Sequence, residues 1–364
     1  MYLIGQETTV TKSHLASLLE KARAQGTEIM SIKNRRYLGN KYALSSFITS
    51  VVRKHCKDIN VVADIFSGTG AVADLFKRHT IITNDLLYSN YISHVAWFSP
   101  SNYREDIIID LIYYYNNLVT SEENYVRENF SDTFFSADNC SKIGFIREDI
   151  EMLKQNNDIT FREYAMLITS LLYAMDRIAN TVGHYDAYRK GVNNNAKLML
   201  RIPLPEKGLS PANQQFNMDA NRLVRNISCD LLYLDPPYNS RQYCDAYHLL
   251  ENIARWQKPK VFGVAKKMDR SNLKSHYSKE TASEAFRDLI LNIDPKTKYI
   301  LLSYNNTAKK GSPRSHAKIS DEVILSILKE KGEVSIFEQD YKAFTTGKSH
   351  NLTNQERLFL CKIY

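Results

Sequence analysis

The chain has few cysteines and no long apolar segment. Its five cysteines among 364 residues are scattered, odd in number and never spaced as Cys-x-x-Cys. This predicts neither a disulfide framework nor a zinc site, and it favours a reducing, cytoplasmic location. The longest apolar helical stretch, residues 166–175, is too short to span a bilayer, and residues 1–9 lack the pattern of a signal peptide. A hydrophobic content of 43% and a charged content of 24% are ordinary for a globular enzyme or binding protein.

The glycine-containing turn after residues 61–64 lacks the marks of two common nucleotide sites. The β-branched run 61–64 predicts a strand, and Gly68-Thr69-Gly70 then leads into a helical pattern. A phosphate loop would end in Gly-Lys-Ser/Thr, and a dinucleotide fingerprint would carry a third glycine where Ala73 stands. Since glycine lets the backbone approach a ligand closely, the turn predicts a nucleoside ligand without pyrophosphate. A second strand, 80–83, ends just before Asp85, where an acid usually binds ribose hydroxyls.

The strongest motif follows another apolar run, Leu231 to Leu234, which predicts a buried strand of a parallel sheet. It stops at Asp235-Pro236-Pro237-Tyr238, because a double proline cannot continue a central strand. A carboxylate, a constrained carbonyl and an aromatic face thus meet at the end of a strand. A flat heterocycle could stack on Tyr238 and donate two amino hydrogens to Asp235 and the Pro236 carbonyl. A plain strand-to-loop exit, with Asp235 as a cap, is the alternative.

Charge is unevenly distributed along this basic chain, whose net charge is +8. Residues 251–320 carry fifteen Lys/Arg and six Asp/Glu, whereas residues 101–150 carry four and ten. The basic segment directly follows the Asp-Pro-Pro-Tyr turn, so a phosphate backbone bound there would bring a base to Tyr238. A solvated basic loop is the alternative. The predicted nucleic-acid contacts are Arg189, Lys190, Arg241, Lys266, Lys267, Arg270, Lys309, Lys310 and Arg314.

Strands alternate with helices along most of the chain, which predicts an α/β fold with a mostly parallel sheet. Residues 197–202 also read as a strand, and strands near 333–339 and 357–363 would close one sheet edge as an antiparallel pair. Residues 162–180 have helical spacing of apolar side chains. Near the amino terminus, Gly39 opens a helical pattern and Lys41 follows it, which makes an anion-binding corner, with an exposed basic turn as the alternative.

Taken together, these motifs resemble the D12 class, or alpha group, of S-adenosylmethionine-dependent DNA adenine N6-methyltransferases, which includes Dam-like and restriction–modification methylases. The order of the motifs matches over most of residues 33–364. The resemblance implies that Asp235, Pro236, Pro237 and Tyr238 form the catalytic motif. It also implies cofactor binding by Tyr37, Gly39, Lys41, Asp64, Phe66, Ser67, Gly68, Thr69, Gly70, Asp85, Asp219 and Asp235.

The resemblance further implies a Rossmann-like, seven-stranded mixed sheet with a reversed hairpin and a largely helical insertion. Residues 1–95 and 200–364 would form the split catalytic domain, and residues 96–199 the insertion and candidate target-recognition region. The implied cofactor is S-adenosyl-L-methionine, without a metal, and the implied partner is double-stranded DNA, with no membrane. Methyl transfer to N6 would require a flipped-out adenine. A cognate restriction endonuclease could be encoded alongside.

Three alternatives to this function differ in substrate or in class. An RNA methyltransferase acting on adenine N6 or guanine N2 uses related motifs, and competition between duplex DNA and structured RNA would separate the two. A glutamine N5-methyltransferase would carry Asn rather than Asp at position 235. A nucleic-acid-binding module with a dead cofactor site is disfavoured by the intact Gly68, Gly70, Asp85 and Asp235.

Overall fold

A seven-stranded sheet forms the centre of the molecule. The computed structural model describes residues 26–39, 41–189, 196–305, 317–341 and 354–364, with Glu20 and Ala24. The strands are β1 Ile29–Met30, β2 Val61–Asp64, β3 Thr80–Asn84, β4 Ile202–Pro203, β5 Gln214–Phe216, β6 Leu231–Leu234, β7 Tyr299–Ser303, β8 Gly332–Tyr341 and β9 Asn354–Ile363.

The order of strands across the sheet is β5-β3-β2-β6-β7-β9-β8, and β1 and β4 form a separate parallel pair. The first five strands of the sheet run parallel, and β9 and β8 are antiparallel at the far edge. The predicted mixed sheet with a reversed closing hairpin is therefore confirmed.

Helices cover both faces of the sheet. In chain order they are α1 Ser45–His55, α2 Ala71–Leu75, α3 Tyr88–Phe98, α4 Glu105–Asn117, α5 Tyr125–Phe130, α6 Ala137–Gln155, α7 Phe161–Ile178, α8 Ala220–Leu223, α9 Tyr243–Ala246, α10 His248–Arg255, α11 Ala282–Leu291 and α12 Asp321–Lys329. Within the described ranges, no helix combines the length and the apolarity needed to cross a membrane. All five cysteines are free thiols.

Helix α7 is the most deeply buried helix of the region between α4 and β4. Thr160 accepts a hydrogen bond from the Glu163 N–H, and the Glu163 carboxylate accepts one from the Thr160 N–H, so a capping box fixes its start. Its side chains contribute to a core shared with α3, α4, α6 and α10. The apolar spacing that predicted a helix over 162–180 is thus confirmed, and it packs against the elements that flank the sheet.

The predicted strand 197–202 is wrong for most of its length. The N–H of Leu198 donates to Oδ1 of Asn139 (3.0 Å), and the N–H of Leu200 donates to Oδ1 of Asn116 (2.7 Å). Helix side chains therefore bind these backbone groups where a neighbouring strand would do so in a sheet. Only Ile202 and Pro203 pair as a strand, with β1.

Candidate functional site

A pocket opens at the carboxyl ends of the parallel strands β2, β3 and β6. Asp64 ends β2, Asp85 follows β3 and Asp235 follows β6, and all three carboxylates line the pocket. Open α/β sheets bind their ligands at this edge. Twelve predicted site residues line it: Tyr37, Gly39, Lys41, Asp64, Phe66, Ser67, Gly68, Thr69, Asp85, Asp219, Asp235 and Pro237. Gly70, Pro236 and Tyr238 are not among the residues that line it.

The backbone of Gly68 is held from both sides. Its N–H donates to Oδ2 of Asp85 (2.9 Å), and its carbonyl oxygen lies 2.9 Å from Nε2 of His94. Burial lowers the pKa of His94 to about 4, so the ring is neutral at pH 7 and its Nε2–H donates to that carbonyl. A Cβ at Gly68, where φ is +53°, would lie 3.2 Å from the Tyr37 ring. The loop therefore presents bare backbone to the pocket.

Gly70 serves the turn of this loop into α2. Its φ is +82°, and a Cβ there would lie 2.8 Å from the ring of Phe98 and 3.2 Å from Ile32. Its N–H donates to the carbonyl of Ser67 (2.7 Å). Both the left-handed backbone and the adjacent ring require glycine at this position.

Asp85 already binds backbone N–H groups with both carboxylate oxygens. Oδ1 accepts from the N–H of Leu87 (2.8 Å) at the start of α3, and Oδ2 accepts from Gly68. Burial raises the pKa of Asp85 to about 6, and these hydrogen bonds hold it from rising further. The acid predicted to bind ribose therefore also fixes the glycine loop relative to α3.

Lys41 forms an ion pair with Asp235 inside the pocket. Its Nζ lies 3.1 Å from Oδ1 of Asp235, and the Lys41 side chain is only 8% exposed. Burial raises the pKa of Asp235 to about 6, and the positive charge of Lys41 opposes that rise. Burial lowers the pKa of Lys41, but the negative charge of Asp235 and its neighbours more than offsets this and raises it above its usual range. The pair keeps a half-buried carboxylate ionised near neutral pH.

Asp64 carries an unusual buried carboxyl group. Asp64 is 1% exposed, and its Oδ1 has no hydrogen-bond partner within the described part of the chain. Burial raises its pKa well above the usual range, and the nearby charge of Asp235 adds to this. An unpartnered buried acceptor beside a pocket is costly unless a ligand or water binds it.

The aromatic wall of the pocket is formed by Tyr37 and Tyr243. Their rings stack with centroids 5.4 Å apart and an interplanar angle of 17°. The ring of Tyr238 instead packs edge-on against Tyr304, at 6.1 Å. Tyr243 follows Arg241 by two residues, but no pattern in the sequence predicted that its ring would face the pocket.

A second residue that the sequence did not single out, Gln242, connects two walls of the pocket. Its Nε2 donates to the Ser275 carbonyl (3.1 Å), and its Oε1 accepts from the Ser275 N–H (2.8 Å). Ser278 adds a bond from its hydroxyl to the Arg241 carbonyl (3.2 Å). Segment 273–277, which contributes Leu273, Ser275 and Tyr277 to the pocket, is thereby tied to the extension of the Asp-Pro-Pro-Tyr motif.

Asp219 lies on the pocket wall formed by residues 218–220. Its Oδ1 caps α8 by accepting from the N–H groups of Asn221 (3.0 Å) and Arg222 (3.2 Å). Met218 is held beside it, because its N–H donates to Oδ1 of Asn84 (3.1 Å). The predicted position of Asp219 in the cofactor region thus coincides with a capping role.

The predicted nucleic-acid contacts fall into three groups. Arg189 and Arg241 are exposed, and Arg241 is adjacent to the pocket-lining Gln242. Lys267 forms an ion pair with Asp186 (2.7 Å), and Arg270 pairs with Asp245, whereas Lys266 is partly exposed. Lys190, Lys309, Lys310 and Arg314 lie outside the described residues.

Comparisons with known proteins agree with this geometry. The family model of the D12 class N6 adenine-specific DNA methyltransferase matches residues 37–310. The modification methylase StsI of Streptococcus sanguinis is 36% identical over 348 residues, covering 90% of this chain and 51% of that protein. The type II methyltransferase M.FokI of Planomicrobium okeanokoites is 33% identical, covering 82% and 47%. The type II methyltransferase M.NlaIII of Neisseria lactamica is 32% identical, covering 86% and 94%.

The chain spans about half the length of StsI and M.FokI, and nearly the full length of M.NlaIII. The family match includes the Tyr37 segment, the glycine loop and the Asp235 motif, which the structure brings into one pocket. The chain belongs to the family of D12 class N6 adenine-specific DNA methyltransferases.

Proposed function

We propose that the chain transfers a methyl group from S-adenosylmethionine to N6 of an adenine flipped out of a specific duplex DNA sequence. The observation that carries this proposal is the half-buried, Lys41-paired Asp235 at the carboxyl end of β6, in one pocket with the Gly68 loop and Asp85. An ionised acceptor thus lies beside a loop built for a nucleoside.

The pocket fits the cofactor by charge and by hydrogen bonding. Four acidic residues, Asp64, Asp85, Asp219 and Asp235, line the pocket against one lysine. Burial favours the protonated form of Asp64, but Asp85 and Asp235 alone outnumber Lys41 and leave negative charge for a ligand that carries a sulfonium and an ammonium group. Asp64 Oδ1 is an acceptor without a partner among the described residues. Tyr37, Lys41 and the Gly68 loop would hold the cofactor's methionine end, and Asp85 and Asp219 its nucleoside end. When bound, S-adenosylmethionine supplies an electrophilic methyl group.

The chain's own contribution to the chemistry is to make N6 nucleophilic. The Asp235 carboxylate and the Pro236 carbonyl would each accept a hydrogen bond from the amino group. These bonds draw the nitrogen lone pair out of ring conjugation. Lys41 keeps Asp235 ionised, so that it accepts and does not donate. Tyr238 would contact the base, and fixing N6 in line with the methyl group supplies much of the remaining acceleration.

Duplex DNA is the proposed substrate because the family acts on DNA. The target adenine would have to flip out of the duplex, since N6 cannot be reached in a stacked base pair. Relatives named as modification methylases support a role as the modification enzyme of a restriction–modification system, with a cognate endonuclease encoded alongside. We also infer a cytoplasmic location. Residues 1–95 and 200–364 would form the catalytic domain, and residues 96–199 the helical insertion that takes part in target recognition.

The proposal is tested by incubating the full chain with S-adenosylmethionine labelled in its methyl group and a random-sequence duplex DNA. Mass analysis of the nucleosides should find N6-methyladenine. Structured RNA added to the same reaction serves as the competing substrate, and label in RNA rather than DNA would overturn the proposal in favour of an RNA methyltransferase.

The variant Asp235→Ala should lose methyl transfer by several orders of magnitude, because the N6 acceptor is removed. Cofactor binding, measured by calorimetry, should survive, since the Gly68 loop and Asp85 are unchanged. Retained turnover in this variant would contradict the assigned role of Asp235.

A further inference from the structure

An exposed apolar tip lies on a short hairpin between α10 and α11. Phe262 and Lys267 exchange two backbone hydrogen bonds, 2.8 and 2.9 Å long, and close residues 263–266 into a tight turn. Gly263 and Lys266 adopt positive φ values of 69° and 49°. Phe262 is 61% exposed and Val264 is 72% exposed. Large apolar side chains held out into solvent together mark a contact surface.

The base of this hairpin is anchored to the protein. Val261 and Ala265 pack against the core that includes α7 and α10, and Met268 is buried. Lys267 pairs with Asp186 of the preceding 180–189 segment. The tip therefore stands on a fixed support, which lowers the entropy that binding would cost.

The hairpin lies on the pocket side of the molecule. Arg270, three residues after it, pairs with Asp245 in α9, the helix that begins at the pocket-lining Tyr243. Leu273, three residues further on, itself lines the pocket. The chain that follows the hairpin therefore joins it directly to the pocket wall.

Charge around the hairpin indicates the kind of partner. Residues 258–279 carry seven Lys/Arg against one acidic residue, Asp269. Lys260, Lys266, Lys274 and Lys279 form no ion pair with any described residue. Basic groups around an apolar tip match a nucleic acid, whose phosphates bind the lysines while its base stack accepts an apolar side chain.

We propose that the 262–267 hairpin is a DNA-contacting wedge, in which Phe262 and Val264 touch the bases beside the target adenine while the surrounding lysines bind phosphates. Contact with neighbouring bases would stabilise the gap that the flipped adenine leaves in the stack. This proposal rests on the proposed methyl transfer to DNA, but its test does not depend on activity.

The direct test is photocrosslinking. Phe262 is replaced by benzoylphenylalanine in the full chain, which is mixed with a short random-sequence duplex DNA and irradiated. The control carries the same probe at Leu291, which is 45% exposed at the end of α11. Its carbonyl accepts a hydrogen bond from Nζ of Lys331 (3.1 Å), the residue before the edge strand β8. A protein–DNA adduct at position 262 and none at 291 is expected. No adduct at 262, or an adduct only with a second copy of the chain, overturns the proposal.

Methyl transfer is measured in parallel with the unmodified chain on the same duplex. Transfer without an adduct overturns the wedge and leaves the proposed function standing. An adduct without transfer overturns the proposed function and supports only the contact between the hairpin and DNA. Absence of both overturns both.

A second measurement asks whether the contact is apolar. The double variant Phe262→Ser/Val264→Ser should weaken the affinity for the duplex about tenfold, while the slope of affinity against salt concentration stays unchanged. Lys266→Ala should instead reduce that slope by about one, because a phosphate contact is lost. An unchanged affinity in the double variant, with its melting temperature preserved, would contradict the apolar contact.

Discussion

Replacing Lys41 with methionine should move the pH dependence of methyl transfer upward. Asp235 must be ionised to accept from N6, so the activity of the native chain should rise as the pH rises through about 6, the pKa of this carboxyl. Lys41 is the positive charge that opposes the effect of burial at Asp235. Without it, the carboxyl binds its proton more tightly and stays neutral to a higher pH.

The size of the effect follows from the 3.1 Å contact between Nζ of Lys41 and Oδ1 of Asp235. Opposite charges about 4 Å apart interact by about 4 kcal/mol at an effective dielectric constant of about 20. Water and relaxation reduce this in practice, and a neighbouring opposite charge changes a carboxyl pKa by about 1 to 3. The acid limb of the rate profile should therefore move up by about one to three pH units, which corresponds to about 1.4 to 4 kcal/mol.

The assay is the pH profile of kcat/KM for methyl transfer to duplex DNA. At pH 7, a limb that moves from near 6 to near 8 lowers kcat/KM about tenfold, and activity should recover at higher pH. The matched control is Lys298→Met. Lys298 pairs with Asp230 (2.8 Å), which precedes β6 at the end opposite Asp235.

Three outcomes would refute this reasoning. A limb that stays near its native position would mean that Lys41 does not control the charge of Asp235. A loss that is equal at every pH, with no displacement of the limb, would mean that Lys41 acts only by holding the cofactor and not through the charge of Asp235. An equal displacement in Lys298→Met would make the effect a general consequence of lost positive charge.

Two further predictions concern the glycine loop and the pocket wall beside Gln242. Gly70→Ala should lower the free energy of unfolding, measured in urea, by about 2 to 4 kcal/mol, because φ is +82° and the new Cβ would lie 2.8 Å from the Phe98 ring. The control Gly208→Ala has a φ of +73° and no atom within 4 Å, so it should lower that free energy by only about 1 to 2 kcal/mol. Equal losses in the two variants would show that the Phe98 ring moves aside. Gln242→Ala should weaken the affinity for S-adenosylmethionine, measured by calorimetry, about tenfold, because two hydrogen bonds to Ser275 are lost. The control Gln339→Ala, at an exposed position in β8, should leave the affinity unchanged. Unchanged affinity in Gln242→Ala would mean that segment 273–277 holds its position without Gln242.

Short-range patterns predicted the sheet wherever one strand carried its own signal. The apolar run 231–234 and the double proline after it gave both a buried strand and its end. The closing strands near 333–339 and 357–363 were also predicted, because each is a separate run with a strand-like pattern. The edge strand β5, with only three residues, two of them glutamine, carried no such signal. Segment 197–202 has a strand-like sequence pattern, but its backbone N–H groups donate to asparagine side chains and not to a neighbouring strand.

The residues of the candidate site were likewise predicted from the sequence only in part. The sequence by itself determined the chemical groups: an acceptor at Asp235, bare backbone at Gly68 and an acid at Asp85, each because a strand ends just before or near it. Only the tertiary structure decided that Lys41 pairs with Asp235, that Gln242 holds Ser275 and that Tyr243 faces the pocket. These contacts join segments far apart in the chain. Residue type and local spacing fix where a strand ends, but the packing of whole elements fixes which side chains meet there.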